Sequence, residues 1–331
     1  MYESIIYGIA IALAALLLDL AFGEPPNRFH PVAWIGSFIN RFDSRITRNG
    51  GHERAWGVVL AVATILIFVV PFTLLTGAVR ILVSTLLWAL LVTILLKMTF
   101  ALHSLWVHVR PIQRALESND IEVARQRTRM VVSRDVSEMD VPHIISCASE
   151  TVAENLVDSV ISPMFFMSFG GLFASLILRA VNTLDAMVGY ENERNHNVGW
   201  FSAKLDDILH FIPARLSIPF ILLALRLRGK DWRSGWASAR HDHVRTKSPN
   251  KGWPMSTVAG GLGFKMEKPG NYVLGKGDLP SEPQVILETY RVVRLTALIF
   301  FLLFVLPLFA LVGIQVQVLI ENIMLEPFLW W

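Results

Sequence analysis

Glu150, Glu154 and Asp158 are three carboxylates spaced one helical turn apart. At i, i+4 and i+8 they stack along one helix face, opposite the apolar line Val141, Ile145, Ala148, Val152, Leu156 and Val160. Each neighbouring pair of like charges costs a few tenths of a kcal/mol. No Lys or Arg lies between Arg134 and Arg179 to relieve them locally. The counter-charge must come from elsewhere, and Mg²⁺ or a basic loop distant in sequence would each serve. A solvated acidic face is the reading without chemistry.

Three further constellations could do chemistry. Arg179, Asn182, Thr183, Asp185, Tyr190, Glu191, Glu193 and Arg194 follow an apolar stretch directly, where unsatisfied polar groups are costly. They read either as a site or as a capped helix end with a surface Arg–Glu pair. Asp206-Asp207 precedes Pro213-Ala214-Arg215; adjacent helical residues diverge by about 100°, so one of the two aspartates faces a given ligand. Ser248 to Pro254, with Asn250 and Lys251, runs on to Ala259-Gly260-Gly261-Leu262-Gly263. Glycines there would let backbone N–H groups reach an anion, but neither G-x-x-x-x-G-K-[ST] nor G-x-G-x-x-G is present, and an ordinary structural loop is the stronger reading. Near the amino end, Asp19 sits within an apolar run and precedes Gly23-Glu24-Pro25 and His30-Pro31. A carboxylate at a bilayer boundary is a site hypothesis in itself. His241 and His243 lack an evident third ligand and read as exposed loop histidines.

The elements that must position these residues are apolar helices. The 331 residues are 53% hydrophobic and 17% charged, more apolar than a soluble core of this length needs. Residues 5–22, 56–79, 81–96 and 295–320 match the roughly 20 helical residues that cross a bilayer. Residues 163–178 and 208–225 are shorter or interrupted by Gly170-Gly171, Pro213, Arg215 and Pro219. The fold class is therefore mostly α: a polytopic helical membrane protein with four clear spans, two short or re-entrant apolar helices, and large cytoplasmic helical and loop inserts. The first span reads as an anchor rather than a cleaved leader, since no Lys or Arg precedes it.

Lys and Arg concentrate in 23–54 and 226–294, while 1–4 and 321–331 hold none, so both ends face outward, with Arg80 the exception. Phe328, Trp330 and Trp331 suit an aromatic belt. Cys147 is the only cysteine, which excludes an intramolecular disulfide and a cysteine-rich zinc site. A net charge of +3 gives no reason to expect nucleic acid. No repeat or linker divides residues 1–331, which read as one membrane-embedded domain. Within it, 103–130 reads as two helices parted near Ser118-Asn119, with Asn119 capping the second and Glu122 as its capping-box partner. Residues 141–160 form a helix behind Asp140 with Pro142 in its first turn, and 240–278 reads as a long ordered loop.

Taken in order, these segments resemble the adenosylcobinamide-phosphate synthase family of cobalamin biosynthesis, the membrane proteins called CobD or CbiB. The likeness runs through Asp19, Gly23-Glu24-Pro25, His30-Pro31, Arg134-Asp135, Glu150, Glu154-Asn155, Asp158, Arg179, Asn182 to Tyr190, Glu193-Arg194, Gly199-Trp200, Asp206-Asp207, Pro213-Ala214-Arg215 and Ser248 to Pro254. Glu24 departs from the family's Gly-Asp-Pro.

The resemblance implies ATP-dependent joining of adenosylcobyric acid to an aminoalcohol phosphate such as (R)-1-aminopropan-2-ol O-phosphate. It assigns Glu150, Glu154 and Asp158 to Mg²⁺, with Glu154, Asp185, Asp206 and Asp207 as the catalytic carboxylates. Arg179, Asn182, Tyr190, Arg194, Arg215, Asn250, Lys251 and His30 become substrate and phosphate contacts. Corrinoid and aminoalcohol phosphate substrates, membrane lipid and other cobalamin-assembly enzymes are the implied partners. Because ATP is cytoplasmic, 163–178 and 208–225 are expected to be re-entrant or to pack within the protein, in the cell membrane. Two other classes compete: a Mg²⁺-dependent membrane prenyltransferase, suggested by Glu154-Asn155-x-x-Asp158, and a corrinoid or small-solute transporter.

Overall fold

The computed structural model describes residues 2–46, 51–132, 134–189 and 195–329. Helices α1 (Tyr2–Phe22), α2 (Pro31–Asp43), α3 (Glu53–Leu82) and α4 (Thr85–Lys97) come first, then α5 (Leu102–Glu117), α6 (Ile121–Arg129) and α7 (Val141–Leu156). They are followed by α8 (Ser162–Val188), α9 (Trp200–Leu227), α10 (Trp232–Asp242) and α11 (Gly252–Leu262). A hairpin of β1 (Lys265–Lys268) and β2 (Tyr272–Gly275) precedes α12 (Gln284–Phe300), the short α13 (Leu306–Leu308) and α14 (Ile314–Leu329). The strands are antiparallel, with Lys265 opposite Gly275 and Lys268 opposite Tyr272.

Among the described residues six helical stretches are long and apolar enough to cross a bilayer: Tyr2–Phe22, Glu53–Leu82, Thr85–Glu117, Val141–Val188, Trp200–Leu227 and Gln284–Phe328. The chain is a polytopic helical membrane protein. Trp330 and Trp331 lie outside the described residues.

The residues cluster into two compact units. The first comprises Met1–Ala101, Ser162–Leu209 and Leu302–Trp331. Its core joins α2, α3 and α8 through Ile35, Ile39, Leu60, Ala180, Leu184 and Val188. The apolar segment 163–178 does not run straight. Gly171 takes φ +57° and ψ −143°, a conformation open to glycine, and breaks α8 there. Beyond the break Ser175 Oγ donates to Pro163 O at 3.1 Å. In a straight helix these two residues would stand about 18 Å apart, so the chain folds back at Gly170-Gly171.

The freed backbone at the break is satisfied from α14, where Gln317 Oε1 accepts from Leu172 N at 3.1 Å. Gln317 Nε2 in turn donates to buried Glu321 Oε1 at 3.1 Å, which also accepts from Trp88 Nε1 at 3.0 Å. Arg80 Nε donates to Glu321 Oε2 at 2.9 Å. That pairing accounts for Arg80, the cation that broke the charge pattern.

The second interrupted segment, 208–225, lies inside α9, a continuous helix of 28 residues longer than its apolar stretch suggests. Pro213 and Pro219 each remove one backbone hydrogen bond without ending it.

The second unit comprises Leu102–Ile161 and His210–Phe301. Asp140, which precedes α7 as expected, caps it, accepting from His143 N at 3.0 Å. The cap of α6 differs by one residue. Asn119 adopts φ +57°, which asparagine tolerates, and closes the turn. Asp120 then accepts from Val123 N at 3.0 Å, while Glu122 pairs with Arg125 at 2.7 Å.

The run 240–278 is not a loop but the end of α10, all of α11 and the hairpin. A side chain at Gly260 would clash with Ser238, so this glycine lets α10 and α11 touch, and tertiary contact overrides its poor helix propensity. At the centre of the unit, α7 packs against α5, α11, α12 and β1. Ser146 Oγ of α7 accepts from Glu267 N at 2.8 Å and seats the hairpin.

Candidate active site

In the second unit the carboxylate line that begins on α7 meets cations from two other segments and an imidazole from a third. Glu150 is buried, and Arg134 Nη2 donates to its Oε1 at 2.9 Å and to Cys147 Sγ at 3.1 Å. Burial, and then the adjoining Glu150 charge, push the Tyr272 phenol far above its usual range. One turn on, Lys251 Nζ lies 2.6 Å from Glu154 Oε1 and 4.0 Å from Asp158 Oδ2. His210 Nδ1, on buried His210, is 3.8 Å from Asp158 Oδ1. Asp158 sits in the π-helical turn Val157–Ile161 that follows α7, a wide turn that changes the register of the face. The cations that relieve the line are therefore Arg134 and the distant Lys251.

Beside Lys251, Arg215 Nη1 donates to Asn250 Oδ1 at 3.0 Å and Nη2 to Pro249 O at 3.3 Å. The Arg215 guanidinium lies 3.5 Å over the Phe211 ring and 5.5 Å from that of Trp253. Trp253 stacks on His243 with ring centroids 3.6 Å apart. His243 is thus packed rather than an exposed loop residue, while His241 is exposed. Lys251 and Asn250 stand at the start of α11, whose first N–H groups carry no side-chain cap. Cation, amide and helix start together make a surface suited to phosphate oxygens.

Among the described residues no three of His, Cys, Asp and Glu converge to hold one metal ion. The donor set fits the other way in which Mg²⁺ is bound, by one or two carboxylates with phosphate oxygens and water completing the shell. Glu154 and Asp158 are hard oxygen donors a turn apart on one ammonium.

The first unit carries the remaining candidates. Arg179, Asn182 and Asp185 are half-buried on successive turns of α8 beyond the Gly171 break. Asp206 is buried and Asp207 only half-buried, so the adjacent pair diverges as expected. Tyr190 and Arg194, with Glu191, Asn192 and Glu193, lie outside the described residues.

At the end of α1, Asp19 is fully buried, and Lys97 Nζ lies 3.5 Å from Asp19 Oδ1 and 2.8 Å from Glu24 Oε1. The other Glu24 oxygen pairs with His30 Nε2. His30 Nδ1 accepts from Val32 N at 3.2 Å and so caps α2, which leaves the ring proton on Nε2 for Glu24. Burial alone would raise the Glu24 carboxyl, but His30 and Lys97 outweigh it and hold it below the usual carboxylate range. The longer glutamate side chain thus bridges Lys97 and His30. A cavity of about 340 Å³ opens beside it, lined by Leu18, Phe22, Glu24, Ile94, Lys97 and Met98.

Sequence reasoning missed Lys97 and His210, and gave Arg134 no role. Lys97 and His210 did leave a signal, each being a polar residue within or closing an apolar run. Arg134 left none beyond its motif.

The profile of the family described as CobD/Cbib protein matches residues 12–299. The chain belongs to the CobD/Cbib family. A "Probable cobalamin biosynthesis protein CobD" of Methanothermobacter thermautotrophicus is 37% identical over 295 residues, covering 88% of this chain and 95% of its own. A "Cobalamin biosynthesis protein CobD" of Dehalococcoides mccartyi is 38% identical, covering 84% and 90%. Its namesake in Thermococcus kodakarensis, a "Probable" one, is 41% identical over 78% of this chain and 83% of its own. No solved structure matches. The CobD/Cbib match spans every candidate from Asp19 to Lys251, so both units bear family-matched segments.

Proposed function

We propose that this chain is an enzyme of cobalamin biosynthesis that forms an amide bond between adenosylcobyric acid and an aminoalcohol phosphate, (R)-1-aminopropan-2-ol O-phosphate or a close analogue, at the expense of ATP. The product is adenosylcobinamide phosphate. The observation that carries this reading is Lys251 clasping Glu154 and Asp158 next to the Arg215–Asn250 pair. Residues from separate family-matched motifs meet there, with the charges that phosphoryl transfer to a carboxylate needs.

A free carboxylate acylates an amine too slowly, and phosphorylation gives it a leaving group. In this reading Lys251 and Arg215 hold phosphate oxygens and Asn250 fixes the Arg215 fork. The family resemblance adds Arg179, Arg194, Asn182, Tyr190 and His30 as expected substrate contacts. Glu154 and Asp158, with Glu150 behind them, would hold Mg²⁺, which neutralises phosphate charge when bound. One of Asp185, Asp206 and Asp207 takes the ammonium proton. The loops that carry the site lie on the cytoplasmic side, where ATP is, and other cobalamin-assembly enzymes are the natural partners.

Purified protein given ATP, Mg²⁺, adenosylcobyric acid and aminopropanol phosphate should release ADP and form the amide, and should form less when Mg²⁺ is chelated. Release of neither product overturns the reading. Ethanolamine phosphate in a parallel reaction reports the preferred amine. A single accessible cysteine at Asn192 should resist labelling from outside the cell, and ready labelling would place that segment on the wrong side.

A further inference from the structure

The end of α9 carries a second feature that the amide chemistry leaves unused. After Leu227 the chain turns at Gly229, whose φ is +67°. Asp231 then caps α10, accepting from Arg233 N at 3.1 Å and Ser234 N at 3.0 Å. This helix is tied back to the apolar helix it follows. A side chain at Gly235 would stand 3.0 Å from Leu225 Cδ1, and Gly261 of α11 makes room for the same leucine.

The inner face of α10, Gly235, Ser238, Ala239 and Asp242, is buried. Its outer face shows Arg233, Trp236 and Arg240, with Trp236 42% exposed. Arg240 lies 5.9 Å over the Trp236 ring and Arg233 5.5 Å over that of Trp232. Leu227 and Val244 flank this face at 63% and 70% exposure, and Arg226 adds a third exposed cation.

The charge on this face is unbalanced. Glu288 engages Arg228 at 3.0 Å and Lys230 at 3.5 Å. Asp242 pairs with Arg245 at 3.3 Å and accepts from Gly275 N. Arg226, Arg233 and Arg240 have no acidic partner among the described residues. Arginines flanking a half-exposed tryptophan at the end of a candidate span match a phospholipid surface, where the indole sits among headgroups and guanidinium forks take phosphate. The excess of cations selects anionic lipid over zwitterionic lipid.

We propose that the Arg233–Trp236–Arg240 face lies against the anionic headgroups of the leaflet beside the Leu227 end of α9. The full chain would be placed in phosphatidylcholine vesicles with and without phosphatidylglycerol, each doped with a lipid bearing a nitroxide just below the headgroup. Wild type should lose more tryptophan fluorescence than Trp236→Phe, and the gap should widen with phosphatidylglycerol. Phosphatidylglycerol retained on the protein in native mass spectrometry should fall roughly fivefold for each of Arg233→Gln and Arg240→Gln. Circular dichroism confirms that the variants remain folded. Equal quenching of wild type and Trp236→Phe overturns the proposal, as would a protein partner covering the face. Unchanged phosphatidylglycerol retention in both Arg233→Gln and Arg240→Gln overturns it as well.

Discussion

Lys251 Nζ lies 2.6 Å from Glu154 Oε1, and the same ammonium stands 4.0 Å from Asp158 Oδ2. One lysine at the start of α11 therefore answers two of the three carboxylates on α7 and the π-helical turn that continues it.

Lys251→Met should lower kcat/KM in the amide assay by about 100-fold or more, the scale of losing one preorganised charge. Lys251 is about a third exposed, so unfolding should shift by no more than about 1 kcal/mol. Lys251→Arg should recover part of the activity. A variant with full activity would remove Lys251 from the site.

The Arg134–Glu150 pair should behave oppositely. Its side chains are 15% and 7% exposed, and removing one partner leaves a buried charge alone. Arg134→Ala should cost about 3–5 kcal/mol in thermal or denaturant unfolding in detergent. Adding Glu150→Gln should recover much of that loss. A single-variant loss below about 1 kcal/mol would show that the pair is not effectively buried.

Glu24 gives a pH dependence with a definite sign. Its carboxyl is held below the usual range in the folded protein, so its contribution is present above that range. That contribution is lost as pH falls through the lowered value. Melting temperatures followed from about pH 6 to about pH 3 should fall less steeply for Glu24→Gln than for wild type. Parallel curves would mean that His30 and Lys97 do not hold the charge.

Gly171→Ala tests the fold-back of α8. The alanine would need a positive φ, and its Cβ would meet Gln317 Oε1 at 2.5 Å. A loss of about 2–3 kcal/mol is expected. Gln317→Ala, which strips only the acceptor for Leu172 N, should cost about 1 kcal/mol. Equal effects would place the strain elsewhere.

The sequence by itself determined the membrane class, the spacing of the carboxylates, the Asp140 cap and the break at Gly170-Gly171. Each depends on a run of apolar residues or a spacing within a few turns, and such local properties survive without knowledge of the rest of the chain. The cap of α6 moved one residue because Asn119 took the left-handed position, a choice between neighbours that composition does not rank. Only the tertiary structure decided that Lys251 rather than another cation meets Glu154, and that Arg80 is answered by Glu321. It alone showed that Gly260 serves helix contact instead of phosphate, and that residues 252–262 are helical. Those outcomes depend on which distant surfaces the packed chain presses together, and charge or glycine content is the same whichever partner arrives.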